Sequence, residues 1–232
     1  RQSLAAVQSA PQFLPTQVRD QALHILSYGL KDDSFTSDAS WLVTRDLLSK
    51  MAPRMELMGH RYDWVPFLEK GIAIAQRFDE ISRVAEYQLQ LGILYRLLSK
   101  FDEAKQIVQV SIAKFALIGD RNGEARSLNE LAWIEHLTHD YDLADTNATR
   151  ALQISGENDP ERGMSLRTLG MIAYYREKLA IAENYHRQAL AIFETIGDQQ
   201  KSAWCLQNIG MVLRQKSQFG EAISYFERAT VI

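Results

Sequence analysis

Small side chains recur along this 232-residue chain at a fixed long period, and few folds satisfy such a pattern. Gly92, Ala132, Gly170 and Gly210 each follow a Leu or Ile inside an apolar helical stretch, 40, 38 and 40 residues apart. Twelve residues after each comes an alanine, Ala104, Ala144, Ala182 and Ala222, and seven further on lie Ser111, Ala151, Ala189 and Ala229. Three small-residue columns in register over four copies describe one unit repeated. Small side chains let two helix backbones approach closely, so the unit is expected to be two antiparallel helices, A then B. The Gly/Ala of helix A and the first Ala of helix B are expected to meet where the helices cross. Larger residues, Phe101, Tyr141, Leu179 and Phe219, mark the A-to-B turn.

The rest of the sequence supports helices. Five prolines and twelve glycines are too few for an all-β chain with many turns, and Ala, Leu, Gln, Glu, Arg and Ile are abundant. Ile118-Gly119-Asp120 and Ile196-Gly197-Asp198 pair a helix-ending glycine with an acidic residue at the next helix start. Gly156-Glu157-Asn158-Asp159-Pro160 is expected to do the same, with proline in the first helical turn. The spacing predicts A helices near 82–98, 122–138, 160–176 and 200–216, and B helices near 101–117, 141–155, 179–195 and 219–231.

Upstream, Arg61-Tyr62-Asp63-Trp64 matches the A-to-B turn of the later copies, and projection back from Gly92 lands on Pro53. A degenerate first unit with a long, Pro53-kinked helix A is therefore expected over 37–79. The domain reading is a lead-in and capping helix over 1–36, then a repeat array over 37–232. Its repeats fall near 37–79, 80–120, 121–159, 160–198 and 199–232, with residues 1–14 loosely ordered. The start without Met suggests a piece of a longer protein. The end inside a B helix, with no polar cap, predicts further repeats or self-association through that end.

Composition narrows the function. A net charge of −3 gives no general pull toward nucleic acid or anionic membranes. No apolar run reaches the ~20 residues that span a bilayer. One cysteine, Cys205, excludes an internal disulfide framework and suits a reducing, cytoplasmic compartment. Cys205 is expected to be a buried small apolar residue, with no basic neighbour marking a reactive thiolate.

The columns resemble the tetratricopeptide-repeat (TPR) family, whose pattern has Leu-Gly in helix A and Ala, an aromatic and Ala-Leu along helix B. Ala144…Ala151-Leu152, Ala182…Ala189-Leu190 and Ala222…Phe226…Ala229 carry the likeness. The resemblance implies an all-α, TPR-like α-α superhelix of about five helical hairpins. The long units joined by Gly-Asp are similar to the TPR arrays of multidomain bacterial signal-transduction ATPases and transcriptional activators. Met55-Glu56-Leu57 to Trp64, Ala85 to Gly92, and Leu128-Asn129-Glu130-Leu131-Ala132 strengthen that likeness. In such proteins the array is implied to bind a partner while a separate nucleotide-binding domain does the ATP chemistry. This chain has no Gly-x-x-x-x-Gly-Lys-Ser/Thr segment for cradling phosphate.

The family also implies that helix A lines a concave face, where offsets near whole turns place residues together. One residue after the small column stand Ile93, Trp133, Met171 and Met211. Four after stand Arg96, His136, Tyr174 and Arg214, and three before stand Leu89, Asn129, Arg167 and Gln207. This mixture suits a protein or peptide with apolar anchors and acidic or carbonyl groups. Packing against the next repeat is the competing role for Ile93 and Met171, and solvation or internal pairing for the arginines. The family's carboxylate clamp uses Lys and Asn in such columns; only Asn129 matches, so a chaperone-type C-terminus is not expected.

His136 and His139, followed by Asp140 and Asp142, offer two imidazoles and a carboxylate, yet no third ligand has a fixed helical offset. No metal or cofactor is expected. His186 is expected at the surface. The functional expectation is a non-enzymatic protein-binding scaffold, the sensor or interaction module of a larger bacterial signalling protein. A self-contained peptide receptor or cargo adaptor is the alternative, and a metal-dependent hydrolase around His136 and His139 the remotest one.

Overall fold

The computed structural model describes residues 15–30, 38–57 and 61–231, without the side chains at 38, 39, 53 and 55–57. The expectations for residues 1–14, for the kink at Pro53 and for the side chains of Met55-Glu56-Leu57 lie outside the described residues. Among the described residues the structure is helical throughout. A leading helix α1 (Thr16–Gly29) is followed by α2 (Asp38–Leu57), α3 (Arg61–Arg77), α4 (Ile81–Leu97) and α5 (Phe101–Leu117). Then come α6 (Arg121–Leu137), α7 (Tyr141–Ile154), α8 (Pro160–Tyr175), α9 (Leu179–Ile196), α10 (Gln199–Gln215) and α11 (Phe219–Val231). The helices of the four regular repeats start and stop within about one residue of the sequence expectation. Backbone contacts gather into two compact units, Arg1–Ile118 and Gly119–Ile232.

The four regular hairpins turn by the same device. Helix A ends on a residue in the left-handed region: Ser99 (φ 59°), His139 (64°), Glu177 (58°) and Ser217 (62°). The following amide then reaches back five residues, as in Lys100 N to Tyr95 O at 2.8 Å and Lys178 N to Ala173 O at 2.9 Å. That bond satisfies a carbonyl that the helix end leaves unpaired. Gly119 (φ 71°) and Gly197 (φ 72°) stand between hairpins in the same conformation, as the Gly-Asp linkers predict. Asp120 and Asp198 then cap the next helices, accepting from Gly123 N at 2.9 Å and Lys201 N at 3.0 Å. The third linker departs from expectation. α7 ends on Ser155 in an extended conformation (φ −83°, ψ 145°) rather than on a left-handed glycine. Asp159 still caps α8, with Pro160 as its first residue.

The small columns are buried as expected, and each crossing also involves a second residue of helix B. A Cβ on Gly92 would come within 2.2 Å of Val108, one on Gly170 within 2.5 Å of His186, and one on Gly210 within 2.6 Å of Phe226. The glycine thus faces the side chain sixteen residues on, and at Gly92 the Ala104 carbonyl, 3.6 Å from the added atom, is in ordinary contact as expected. In the second of these hairpins the small residue is Ala132, and sixteen on stands Ala148; both are buried in one cluster with Leu169. Where the first helix adds a methyl, the second loses its bulk. The sum of the two side chains is what the close-packed crossing constrains.

The first unit holds the degenerate repeat. Gly71 on α3 faces Leu48 of α2, and Trp64 is fully buried at the place that alanine takes in later hairpins. Trp41, Trp64, Leu68 and Tyr87 share one apolar cluster that also takes in Ala22 and Leu26 of α1. The Tyr87 hydroxyl donates to the Arg45 carbonyl at 2.9 Å, and Arg45 pairs with Glu80. Burial pushes the Tyr87 phenol up to about 12.

Two consequences are measurable by urea unfolding. Gly210→Ala should cost about 1–3 kcal/mol by overpacking against Phe226. Gly210→Ala with Phe226→Ala, which copies the Ala132–Ala148 pair, should show a favourable coupling of about 0.5–3 kcal/mol; additive losses would refute the size balance. Glu177→Gly should add about 1 kcal/mol by relieving a left-handed non-glycine residue. An unchanged midpoint would show that the turn stores no such strain.

Candidate functional site

In the second unit two of the predicted residues, Trp133 and Arg167, come together. α6 packs on α8 and α8 on α10, so three successive A helices lie side by side. At their centre Arg167 of α8 places its guanidinium 4.7 Å from the ring centroid of Trp133 on α6 and 5.1 Å from that of Trp204 on α10. Arg167 is half-buried, so the cation is partly desolvated, which strengthens its attraction to the indole faces. Trp133 also stacks on His136 at 5.0 Å, and His136 touches Tyr175 at 5.2 Å. Tyr175 stacks on Tyr141 at 5.8 Å, and His139 Nδ1 lies 2.8 Å from the Tyr141 hydroxyl. The result is a run of aromatic rings around one arginine.

Other predicted residues take different places. Met171 and Met211 are half-buried, and Gln207 and Arg214 are exposed. Tyr174 is half-buried and donates to Gln215 Oε1 at 3.3 Å. Asn129 is buried in the seam between hairpins. Its amide donates to the Glu161 carbonyl and carboxylate, both at 2.9 Å, and its Oδ1 accepts from Ser165 at 2.7 Å. Burial is also the main influence on the Glu161 carboxyl, raising it above its usual range. His136 is only 5% exposed, so it backs Trp133 rather than facing a ligand. In the first unit Ile93 and Arg96 are half-buried. Leu89, 1% exposed, packs with Ala85 and Phe115, and its assignment to a ligand face is corrected.

Two further expectations need comment. His186 is buried rather than at the surface, because its ring fills the space that Gly170 leaves. Cys205 is fully buried, and burial pushes its thiol up to about 12, so it is no nucleophile at neutral pH. Trp204 was not anticipated. It stands seven residues before Met211, two helical turns away on the same face, and extending that column by two turns would have found it. Among the described residues no three His, Cys, Asp or Glu side chains are grouped to hold a metal. No described helix is long and apolar enough to cross a membrane.

Residues 124–195 and 161–230 match the family model described as tetratricopeptide repeat. No curated protein matches the sequence. Among solved structures, BtubC (BKLC) from P. vanneervenii superposes with a TM-score of 0.71 at 17% identity, over 99% of this chain and 89% of that one. Aspartyl phosphate phosphatase F from Bacillus subtilis gives 0.71 at 12% identity, over 99% and 67%. The nearly identical TPR-like repeats of a putative kinesin light chain from Podosopora anserina, in a Q17M structure, give 0.61 at 17% identity, over 79% and 92%. These likenesses show the fold, the all-α TPR-like α-α superhelix class.

The two buried histidines make stability depend on pH. Burial, with the nearby Arg167 charge, holds His136 down at about 4 and His186 at about 3. The unfolded chain therefore binds more protons than the folded one as pH falls from about 6.5 toward 4, and stability falls with it. His186→Phe, which copies Phe226 of the last hairpin, should flatten this loss when urea midpoints at pH 7 and pH 5 are compared. An unchanged difference between the two midpoints would exclude His186 as a source of acid lability.

Proposed function

For a chain built of tetratricopeptide repeats, we propose a non-enzymatic scaffold that binds a protein or peptide on the face of α6, α8 and α10. The observation that carries this reading is the Trp133–Arg167–Trp204 stack, one residue from each of three successive A helices. Two indoles and an arginine are the side chains most often found at the energetic centre of protein interfaces. Met171 and Met211 on the same columns supply adaptable apolar contact. Exposed Arg214 and Gln207 supply a polar rim. Arg167 places its positive charge between the two rings, where it favours a partner with acidic or carbonyl groups.

The host is proposed to be a larger bacterial signalling or regulatory protein acting in the cytoplasm, without direct contact to nucleic acid or membrane. The long units with Gly-Asp linkers support this. The lone thiol, Cys205, suits a reducing compartment.

Arg167→Ala and Trp204→Ala should each leave the helical circular dichroism unchanged. Affinity for a partner captured by the wild-type chain and identified by mass spectrometry should fall by about 2 kcal/mol, roughly thirtyfold. Equal affinity of the wild type and both variants, by calorimetry, would move the binding face elsewhere.

A further inference from the structure

The first unit carries an open groove between α3, α4 and α5, with a chemistry unlike the stack on α6, α8 and α10. It measures about 530 Å³, within the range of sites that hold a ligand anchor. Ile72 of α3, Leu91 of α4, and Ile107 and Val110 of α5 give it an apolar lining, and Val110 is 43% exposed. The polar members are Glu69, Tyr95, Glu103 and Gln106. The Tyr95 hydroxyl donates to Glu69 Oε1 at 3.2 Å. Burial first, and then the charges of Glu69 and Glu103, raise the Tyr95 phenol, so both carboxylates act on one spot.

The same place two repeats later is smaller. Leu169, Ala173, Ile181 and Tyr185 stand there where the first unit has Leu91, Tyr95, Glu103 and Ile107. Arg176 bridges Asp142 and Asp145 at its rim, and a cavity of about 160 Å³ remains. There the charges are satisfied internally. In the first unit the groove lining itself contains two glutamates and no cationic residue. Lys100 places its ammonium 5.7 Å over the ring of Tyr95, so one face of that lining residue already accommodates a positive group.

We propose that this groove between α3, α4 and α5 binds a basic peptide segment, an aliphatic side chain seated against Ile72, Ile107 and Val110 with a neighbouring Lys or Arg held by Glu69 and Glu103. The apolar lining supplies the contact area, and the carboxylates select the sign of charge and make binding salt-dependent. This site is independent of the aromatic face and does not rest on it.

The probes are three fluorescein-labelled twelve-residue peptides of alternating Leu and Lys, Ser and Lys, or Leu and Glu, titrated into the full chain by anisotropy. The Leu/Lys peptide should bind about tenfold or more tighter than either of the others, with affinity falling as salt rises. Glu69→Lys with Glu103→Lys, both exposed positions that tolerate exchange, should remove that advantage. Arg167→Ala should leave it intact, which separates this groove from the proposed partner face. Methyl resonances of Ile72, Ile107 and Val110 should move on binding. The proposal is overturned if the Ser/Lys or Leu/Glu peptide binds as tightly as Leu/Lys, if charge reversal changes nothing, or if the methyl shifts gather elsewhere.

Discussion

A hydrogen atom in place of a methyl group at the helix crossing decides how close the two helices of a hairpin come. At Gly92, Gly170 and Gly210 that space is taken by Val108, His186 and Phe226 from the partner helix, and at Ala132 it is shared with Ala148. Close packing tolerates neither a void nor an overlap there, so the pair behaves as one unit of volume. The alanines that follow, Ala104, Ala144, Ala182 and Ala222, are buried in every copy. Once the crossing distance is set, the left-handed residue at the turn and the next cap are set in register with it. A hairpin built this way still has an apolar side uncovered, and stacking covers it.

Stacking brings polar groups into the seams, and these divide by whether they are satisfied inside the protein. Asn129, Ser165 and Glu161 complete one another's hydrogen bonds between α6 and α8, and Asn147 does the same for the buried carboxylate of Glu135. Such groups join helices and have little left to offer a ligand. Arg167 joins helices in another way, with its cation held against the rings of Trp133 and Trp204 on the two neighbouring helices.

The sequence made the repeat legible because the small columns hold small residues in each of the four regular copies. The crossing partner was hidden because its identity changes from Val to Ala to His to Phe. What is held constant is a sum over two positions, which no single column displays. A histidine on a B helix reads as a surface residue, and only the space left by Gly170, sixteen residues before, marks His186 as buried. Leu89 and Asn129 were placed on a ligand face for a related reason. Offsets of three and four residues share a helix face, and on an A helix that face includes the seam to the next hairpin. Only the neighbour decides which part of the face a residue occupies: Phe115 covers Leu89, and Ser165 ties down Asn129.

A repeat separates the residues that set its backbone from those that set its chemistry, and the inter-hairpin groove shows how far the separation goes. Leu91 and Leu169 hold the same place in the two units and are both buried. Around them, Glu103 becomes Ile181 and Ile107 becomes Tyr185, and the groove passes from open and acidic to smaller and internally paired. Neither exchange touches the small columns, so neither alters the crossing. The aromatic run on α6, α8 and α10 follows the same logic, since Trp133, Arg167 and Trp204 project from helices whose packing rests on other positions. Binding chemistry in such a chain is therefore read from departures between copies at exposed and half-buried positions, while agreement between copies reports the fold.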